Sequence, residues 1–219
     1  KDETIKQAFC TMMNKLIALV FAVLLTAPVL AQEAPDVLVK KVTEEVLEIV
    51  RKDRDIQNGS TQKAVELVDQ KVLPHFDFRH MTALAVGKDW KKASPDQQQQ
   101  LTAEFKTLLV RTYSNALTSY KNQKIAYKPF RMNPGDSEVL VRTEVIQPGS
   151  KPVQIDYNLE KADAGWKVFD VVVAGISLVT NYRDQFAQEV RSGGIDGLIA
   201  AIAAKNKSLP GGGARADGK

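Results

Sequence analysis

The sequence predicts an α+β domain: a twisted antiparallel sheet of about four strands packed against a helical layer. Three observations predict it. From Asp36 to Tyr120 apolar residues recur at three and four, the period of helices with one buried face. After Asn122 the period changes to two and stays so up to Ala174. Beyond Gly175 the helical period returns, so helices flank an antiparallel meander and can cover one of its faces.

The chain opens on a targeting signal. In Met12 to Ala31, MMNKLIALVFAVLLTAPVLA, Lys15 forms a short basic region and Leu16 to Leu25 an apolar run of ten residues. Such a run is too short to span a bilayer as a helix, and Val29-Leu30-Ala31 puts small residues at a cleavage position. A secretory signal peptide is expected, with the mature chain starting near Gln32. No cysteine follows the run, which points away from a lipoprotein. The residues before Met12 begin with Lys1, follow no signal logic and are set aside as upstream sequence, so residues 1–31 take no part in the fold. Residues 32–206 form one domain, and 207–219, with three glycines in succession after Pro210, form a disordered tail.

The formal charge of the whole chain is +4, and about one unit of it leaves with residues 1–31. The remaining charges are interspersed, without the basic stripe and stacking aromatics of a nucleic-acid binder. Cys10, the one cysteine, precedes the signal, so the mature chain has no disulfide, thiol nucleophile or cysteine metal ligand.

Each element has its own warrant. Leu38, Val42, Val46, Ile49 and Val50 stripe a helix from Asp36 to Gln57 that Asn58-Gly59 ends. Ser60 or Thr61 caps a second, with Ala64, Val65, Val68 and Val72 inward, stopped by Pro74. Phe76 to Gly87 reads as a short apolar helix closed by glycine. Ser94-Pro95-Asp96-Gln97 combines a serine cap, a proline at the first helical position and a glutamine at the capping-box position; the helix runs to about Tyr120. Four strands follow: Lys124 to Phe130, at an edge because of Pro129; Ser137 to Gln147; Val153 to Glu160; and Trp166 to Ala174, apolar on both faces except for Asp170. Pro148-Gly149-Ser150 and Asp163-Ala164-Gly165 supply turns. Ser177 is expected to cap a helix with Leu178, Tyr182, Phe186 and Val190 inward, and Gly193-Gly194 separates a last one.

Few residues suggest reaction chemistry. His75 and His80, the two histidines, are five apart, do not share a helical face and lack a third ligand for an open metal site. Neither sits beside a nucleophile elbow, and Gly193, Gly194 and Gly197 lack phosphate-loop spacing. Asp77 and Asp170 each lie in an apolar stretch, where burial raises a carboxyl pKa. The bland readings are a helix cap for Asp77 and a sheet-to-helix hydrogen-bond acceptor for Asp170, with Arg183 as a natural partner for such an acid; the sharper one makes either a general acid or base, with Asp170 as the base of an enzyme. What remains is apolar surface, which is either a filled core or the wall of a cavity for an apolar ligand. Periodicity leaves both open.

Two regions resemble a known family. FDFRHMTALAVGKDWKKASPDQQQQLTAEFKTLLVRTYSNAL, from Phe76 to Leu117, and WKVFDVVVAGISLVTNYRDQF, from Trp166 to Phe186, are similar to the signature regions of the periplasmic phospholipid-binding proteins of the Mla lipid transport system, the toluene-tolerance family. The most specific pieces are Phe76-Asp77-Phe78, Gly87 with Trp90, Phe105 with Tyr113, and Gly175 to Val179 leading into Asn181-Tyr182-Arg183 and Gln185-Phe186. Order and spacing agree from about Val42 to Ala203, and Ala85-Val86 departs mildly where the family favours leucine before the glycine.

The resemblance implies a fold whose sheet and helices enclose the acyl chains of a phospholipid, the bound ligand, with the head group at the mouth and no cofactor, metal or catalytic group. It implies a periplasmic shuttle with two partners, an outer-membrane lipoprotein complex and an inner-membrane ABC lipid transporter complex, and transient membrane contact through them. The broadest apolar surfaces place the cavity between the Pro95–Tyr120 helix and the sheet. Phe105, Leu109 and Tyr113 are expected to face Val141, Ile155, Tyr157 and Val172, with Ile176, Leu178 and Tyr182 near the end and Lys88, Lys91 or Arg183 near the phosphate. The alternatives are a small enzyme acting on an apolar substrate with Asp170 as acid/base, and a chaperone or adaptor for unfolded peptide.

Overall fold

The structure, a computed structural model, describes residues 32–209; the signal peptide expected within 1–31 and the tail from Pro210 onward lie outside them. α1 spans Pro35–Lys52, with Pro35 opening it, Asp36 in its first turn and Arg51 and Lys52 in its last, charges that complement the helix dipole. The expected single helix to Gln57 is broken at Asp53, which turns extended (φ −83°, ψ 107°) and accepts the backbone N–H groups of Asp55 and Ile56 to start α2 (Arg54–Gln57). The Ser60 hydroxyl caps α3 (Thr61–Lys71) through the Lys63 N–H, and a 3₁₀ turn at Leu73–His75 follows.

Phe76 is extended and bridges Val168 of the sheet, and the Asp77 N–H donates to the Val168 carbonyl at 2.9 Å. The Asp77 carboxylate then caps α4 (Phe78–Val86) by accepting the His80 N–H at 2.8 Å, the capping role expected of it. Gly87 ends α4 at φ +65°, where any side chain would be strained and a Cβ would meet the Arg183 side chain at 3.8 Å. α5 (Pro95–Tyr113) starts with the Ser94–Gln97 capping box. It ends seven residues short of Tyr120, after which α6 (Asn115–Thr118) continues as a separate turn.

The sheet has five strands in the order β1 (Lys124–Tyr127), β2 (Glu138–Ile146), β3 (Val153–Ala162), β4 (Gly165–Val173) and β5 (Ile176–Ser177), each antiparallel to its neighbour. The fifth strand exists because Ala174 (φ 50°) and Gly175 (φ 83°) both adopt left-handed backbone, the requirement of a two-residue hairpin, and send Ile176-Ser177 back along β4. Ser177 is therefore in a strand rather than capping the last helix. Its Oγ accepts the N–H groups of Val179 and Thr180, and α7 (Arg183–Ser208) begins only after the 3₁₀ turn Thr180–Tyr182. Gly194 (φ 67°, ψ −166°) kinks α7 at the expected junction, and the helix extends through Lys207 and Ser208, two residues into the expected tail.

The core falls into three clusters, and their membership revises the expected layering. Phe105, Leu101 and Leu108 of α5 pack on Met81 of α4 and on Phe186, Leu198 and Ile202 of α7. α1 covers the inner face of the sheet instead, with Leu38 and Val39 against Val141, Leu159 and Val168. Val46 and Val50 of α1 pack with Ile56, Leu67 and Tyr120. None of the helices among the described residues is long and apolar enough to cross a membrane.

Candidate functional site

Where α1 crosses the sheet, the two do not close completely. A cavity of ≈ 600 Å³ lies between them, lined on the helix side by Leu38, Val39, Val42, Thr43, Val46 and Leu47, and on the sheet side by Ile125, Val145, Ile155, Tyr157 and Val168. Val72, His75 and Phe76 form one flank, and Ala116, Leu117, Ser119, Tyr120, Gln123 and Gln147 the other. Volume and lining have the character of a small-molecule pocket: mostly aliphatic, with a few polar groups at particular points.

A second cavity of ≈ 220 Å³ adjoins it, lined by Val68, Leu73, Phe78, Met81, Leu109, Tyr113, Val171 and Leu178. Val72, Phe76 and Leu117 line both, so these three side chains form the partition. Phe76 can stand there because its backbone is bound to β4 at Val168 and its ring stacks on Phe78 at 5.9 Å.

Hydroxyls meet where α1 crosses the sheet. The Thr43 hydroxyl of α1 lies beside the phenols of Tyr157 on β3 and Tyr127 on β1 and opposes the rise of their pKa values, and the Thr143 hydroxyl of β2, also beside Tyr157, donates to the Ile155 carbonyl at 2.9 Å. Burial pushes the Tyr157 phenol well above its ordinary value, and burial, with Glu44 and Tyr157 nearby, raises Tyr127 to about 12. Both phenols stay neutral at physiological pH, so these polar groups place no charge in an apolar wall. His75 is held below its ordinary pKa by burial, then by Lys167 and Lys41, which favours the neutral imidazole on the cavity flank. Tyr113, on the smaller cavity, rises to about 12 through burial and its contact with Tyr182.

The expected site residues divide. Ile155 and Tyr157 line the larger cavity, and Leu109, Tyr113 and Leu178 the smaller. Phe105 lines neither: it is fully buried among the helices, edge-on to Tyr182 and Phe186 at 5.3 Å each. Tyr182 belongs to that aromatic group as well. Val141 is buried under α1, packed with Leu38 and Val39, and lines neither cavity. Val172 is turned away by a bulge. Pairing skips from Asn158↔Asp170 to Leu159↔Val168, Phe169 is left over, and Val168 and Val171 reach the cavities while Val172 pairs with Asp156. Ile176, on the edge strand, is 59% exposed. The residues missed are those of α1. Their stripe was visible in the sequence, but its packing against the sheet was not.

Asp170 takes the acceptor role, through different partners from those expected. Its Oδ1 accepts the Ser177 hydroxyl at 2.9 Å, and Ser177 Oγ in turn accepts the N–H groups of Val179 and Thr180. Burial raises its pKa, with the Ser177 hydrogen bond opposing. Arg183 is not its partner: the guanidinium donates to the Leu84 carbonyl at 2.9 and 3.2 Å. Lys88, Lys91 and Arg183 line neither cavity. His80 stands outside both, stacked on Phe169 at 4.5 Å with Nδ1 2.9 Å from Glu160. Among the described residues no group of three His, Cys, Asp or Glu side chains is placed to hold a metal ion.

Comparison with known proteins places the chain among relatives of one kind. The family described as MlaC protein matches residues 40–204. The chain is 24% identical over 184 residues to the intermembrane phospholipid transport system binding protein MlaC of Haemophilus influenzae, covering 83% of this chain and 86% of that protein. It is 28% identical over 167 residues to the toluene tolerance protein ttg2D of Pseudomonas putida, covering 76% and 77%. A phospholipid-binding protein from Ralstonia solanacearum, solved in complex with a phospholipid, superposes with a TM-score of 0.74 at 41% identity, over 80% of this chain and 97% of that one.

Proposed function

The chain belongs to the MlaC protein family, and from that premise we propose that it is a periplasmic carrier that shuttles phospholipid between the outer and inner membranes with the acyl chains held under α1. The observation that carries this reading is the pair of adjoining apolar cavities, ≈ 600 and ≈ 220 Å³, in a fold whose solved relative holds a phospholipid. A carrier is needed for a physical reason. At ~0.8 kcal/mol per methylene, a diacyl lipid with about thirty methylenes faces more than ~20 kcal/mol on entering water. A dry aliphatic cavity replaces the bilayer at little net cost, and no group has to react. The alternative enzyme reading gains no support from Asp170, which lines neither cavity and accepts the Ser177 hydroxyl.

As the soluble binding component of a lipid transport system, the protein would exchange its cargo with an outer-membrane lipoprotein complex at one end and an inner-membrane ABC transporter complex at the other. The name of the Haemophilus relative supports this role. Native mass spectrometry of protein purified from bacterial cells tests the reading: the spectrum should show co-purified phospholipid mass. A delipidated protein that fails to take up phospholipid from vesicles would overturn it.

A further inference from the structure

One end of the sheet brings together the rim of the larger cavity and an uncommon surface. Antiparallel pairing puts Lys124, Ile146, Val153, Val173 and Ile176 at the same end of β1 to β5. Gln147 and Ser119, both exposed and both lining the cavity, mark the opening there. Of the five large apolar side chains most exposed among the described residues, three stand on this end: Ile146 at 40%, Val153 at 40% and Ile176 at 59%. The loops around them carry exposed Lys121, Lys124 and Lys151, and segments 119–124, 147–152 and 174–176 contain no acidic residue. None of the three lysines pairs with an acid among the described residues, whereas the strand acids behind them are engaged, Glu144 by Lys128 at 2.6 Å and Asp156 by Gln154 at 2.7 Å.

We propose that this end of the sheet docks on an anionic phospholipid bilayer, with Ile146, Val153 and Ile176 entering the interface and Lys121, Lys124 and Lys151 meeting lipid phosphates around the cavity mouth. The array crosses five strands, roughly 19 Å at about 4.8 Å per strand step. Aliphatic tips ringed by cations suit a fluid, negatively charged surface, where shallow burial and attraction to phosphate add. Mouth-down docking also lets an acyl chain pass between bilayer and cavity without crossing water. The purpose of the surface rests on the carrier reading; its existence does not.

The test is co-sedimentation of the purified wild-type protein with vesicles of pure phosphatidylcholine or of equal parts phosphatidylglycerol and phosphatidylcholine. Binding should be confined largely to the anionic vesicles and weaken steeply with added salt, a measurement that needs no variant. Lys121→Glu/Lys124→Glu/Lys151→Glu should bind at least about a hundredfold more weakly, since each lysine near such a surface contributes about fivefold. Ile146→Ser/Val153→Ser/Ile176→Ser should weaken binding at least about tenfold. Equal binding to both vesicle types, or no binding to either, overturns the proposal. So does a lysine variant that binds vesicles as wild type does but no longer hands lipid to a purified protein partner, which would assign the surface to an acidic protein. Phospholipid retained by the variants is read separately by native mass spectrometry. Its loss would count against the placement of the cavity mouth, and failure of wild type to carry phospholipid at all would count against the carrier reading, leaving vesicle binding to judge the surface.

Discussion

Arg51 at the end of α1 donates to the phenol oxygen of Tyr120 from Nη2 at 2.7 Å and from Nε at 3.2 Å, with its guanidinium 5.5 Å from the ring centroid. The Tyr120 hydroxyl in turn donates to the Gln123 carbonyl at 2.9 Å. One phenol thus ties the C-terminal end of α1 to the loop that leads into β1, and Tyr120 and Gln123 both line the larger cavity. Covering helix and sheet are held at a set separation on this side by a hydrogen bond to a cation as well as by packing.

Tyr120→Phe should therefore cost about 1 to 2 kcal/mol, the loss of a partly buried hydrogen bond to a charged group, while the ring keeps its place among Val46, Val50 and Leu67. Thermal unfolding measures this. An unchanged melting temperature would show that the tie contributes nothing.

The separate locations of cavity and helical core give opposite outcomes for two substitutions. Val42→Trp fills space under α1, so bound phospholipid should fall at least about tenfold while the fold is kept. Phe105→Ala empties the α4–α5–α7 core and should cost about 3 to 5 kcal/mol, yet the molecules still folded should carry lipid at the wild-type ratio. Lipid content by native mass spectrometry beside calorimetry distinguishes them, and the reverse pattern would return the cavity to the α5 face.

Asp170→Asn should destabilise by about 1 to 3 kcal/mol, because the amide keeps the shape but not the full acceptor capacity toward the Ser177 hydroxyl that organises the turn at Val179 and Thr180. The sign of the pH dependence follows from burial. A carboxyl whose folded pKa lies above its ordinary 3.8 contributes stability that is present below that value and declines as pH rises through the folded pKa. The advantage of wild type over the variant should therefore be greatest in acid and shrink toward neutral pH. Melting curves across that range check it, and a gap that widens with pH would contradict the assignment.

His75 has the opposite sign. Its folded pKa is lowered from 6.5 by burial and by Lys167 and Lys41, so its contribution is present above 6.5 and is lost as pH falls through the folded value, when a cation must form on the cavity flank. Unfolding followed from pH 7 downward should show this loss, and His75→Gln should flatten it. A variant whose acid sensitivity matches wild type would remove His75 from the account.

Local elements were legible wherever a short-range cause sets them. Ser94 and Gln97 announce α5, Asp77 caps α4, and alternation places Val139, Val141, Thr143 and Val145 on one side of β2. Each depends on neighbours within a turn or along one strand. The junction at Gly194 was legible for the same reason. The fifth strand was not, because it required Ala174, a residue with a Cβ, to adopt φ 50°.

The sequence by itself determined the order of the main helices and of the first four strands, the apolar stripe of each and the resemblance to the family. Tertiary structure alone decided which stripe meets which. Periodicity gives a helix a buried face but says nothing of its partner, so the broad α5 face and the narrower α1 face competed for the sheet with no local signal to separate them. In the folded chain α5 goes to α4 and α7, and α1 takes the sheet, with Leu38 and Val39 packed on Val141, Leu159 and Val168. A single extra residue in β4, Phe169, then changes which valines reach the cavities, because side chains alternate with a period of two and one residue of slip reverses every face beyond it.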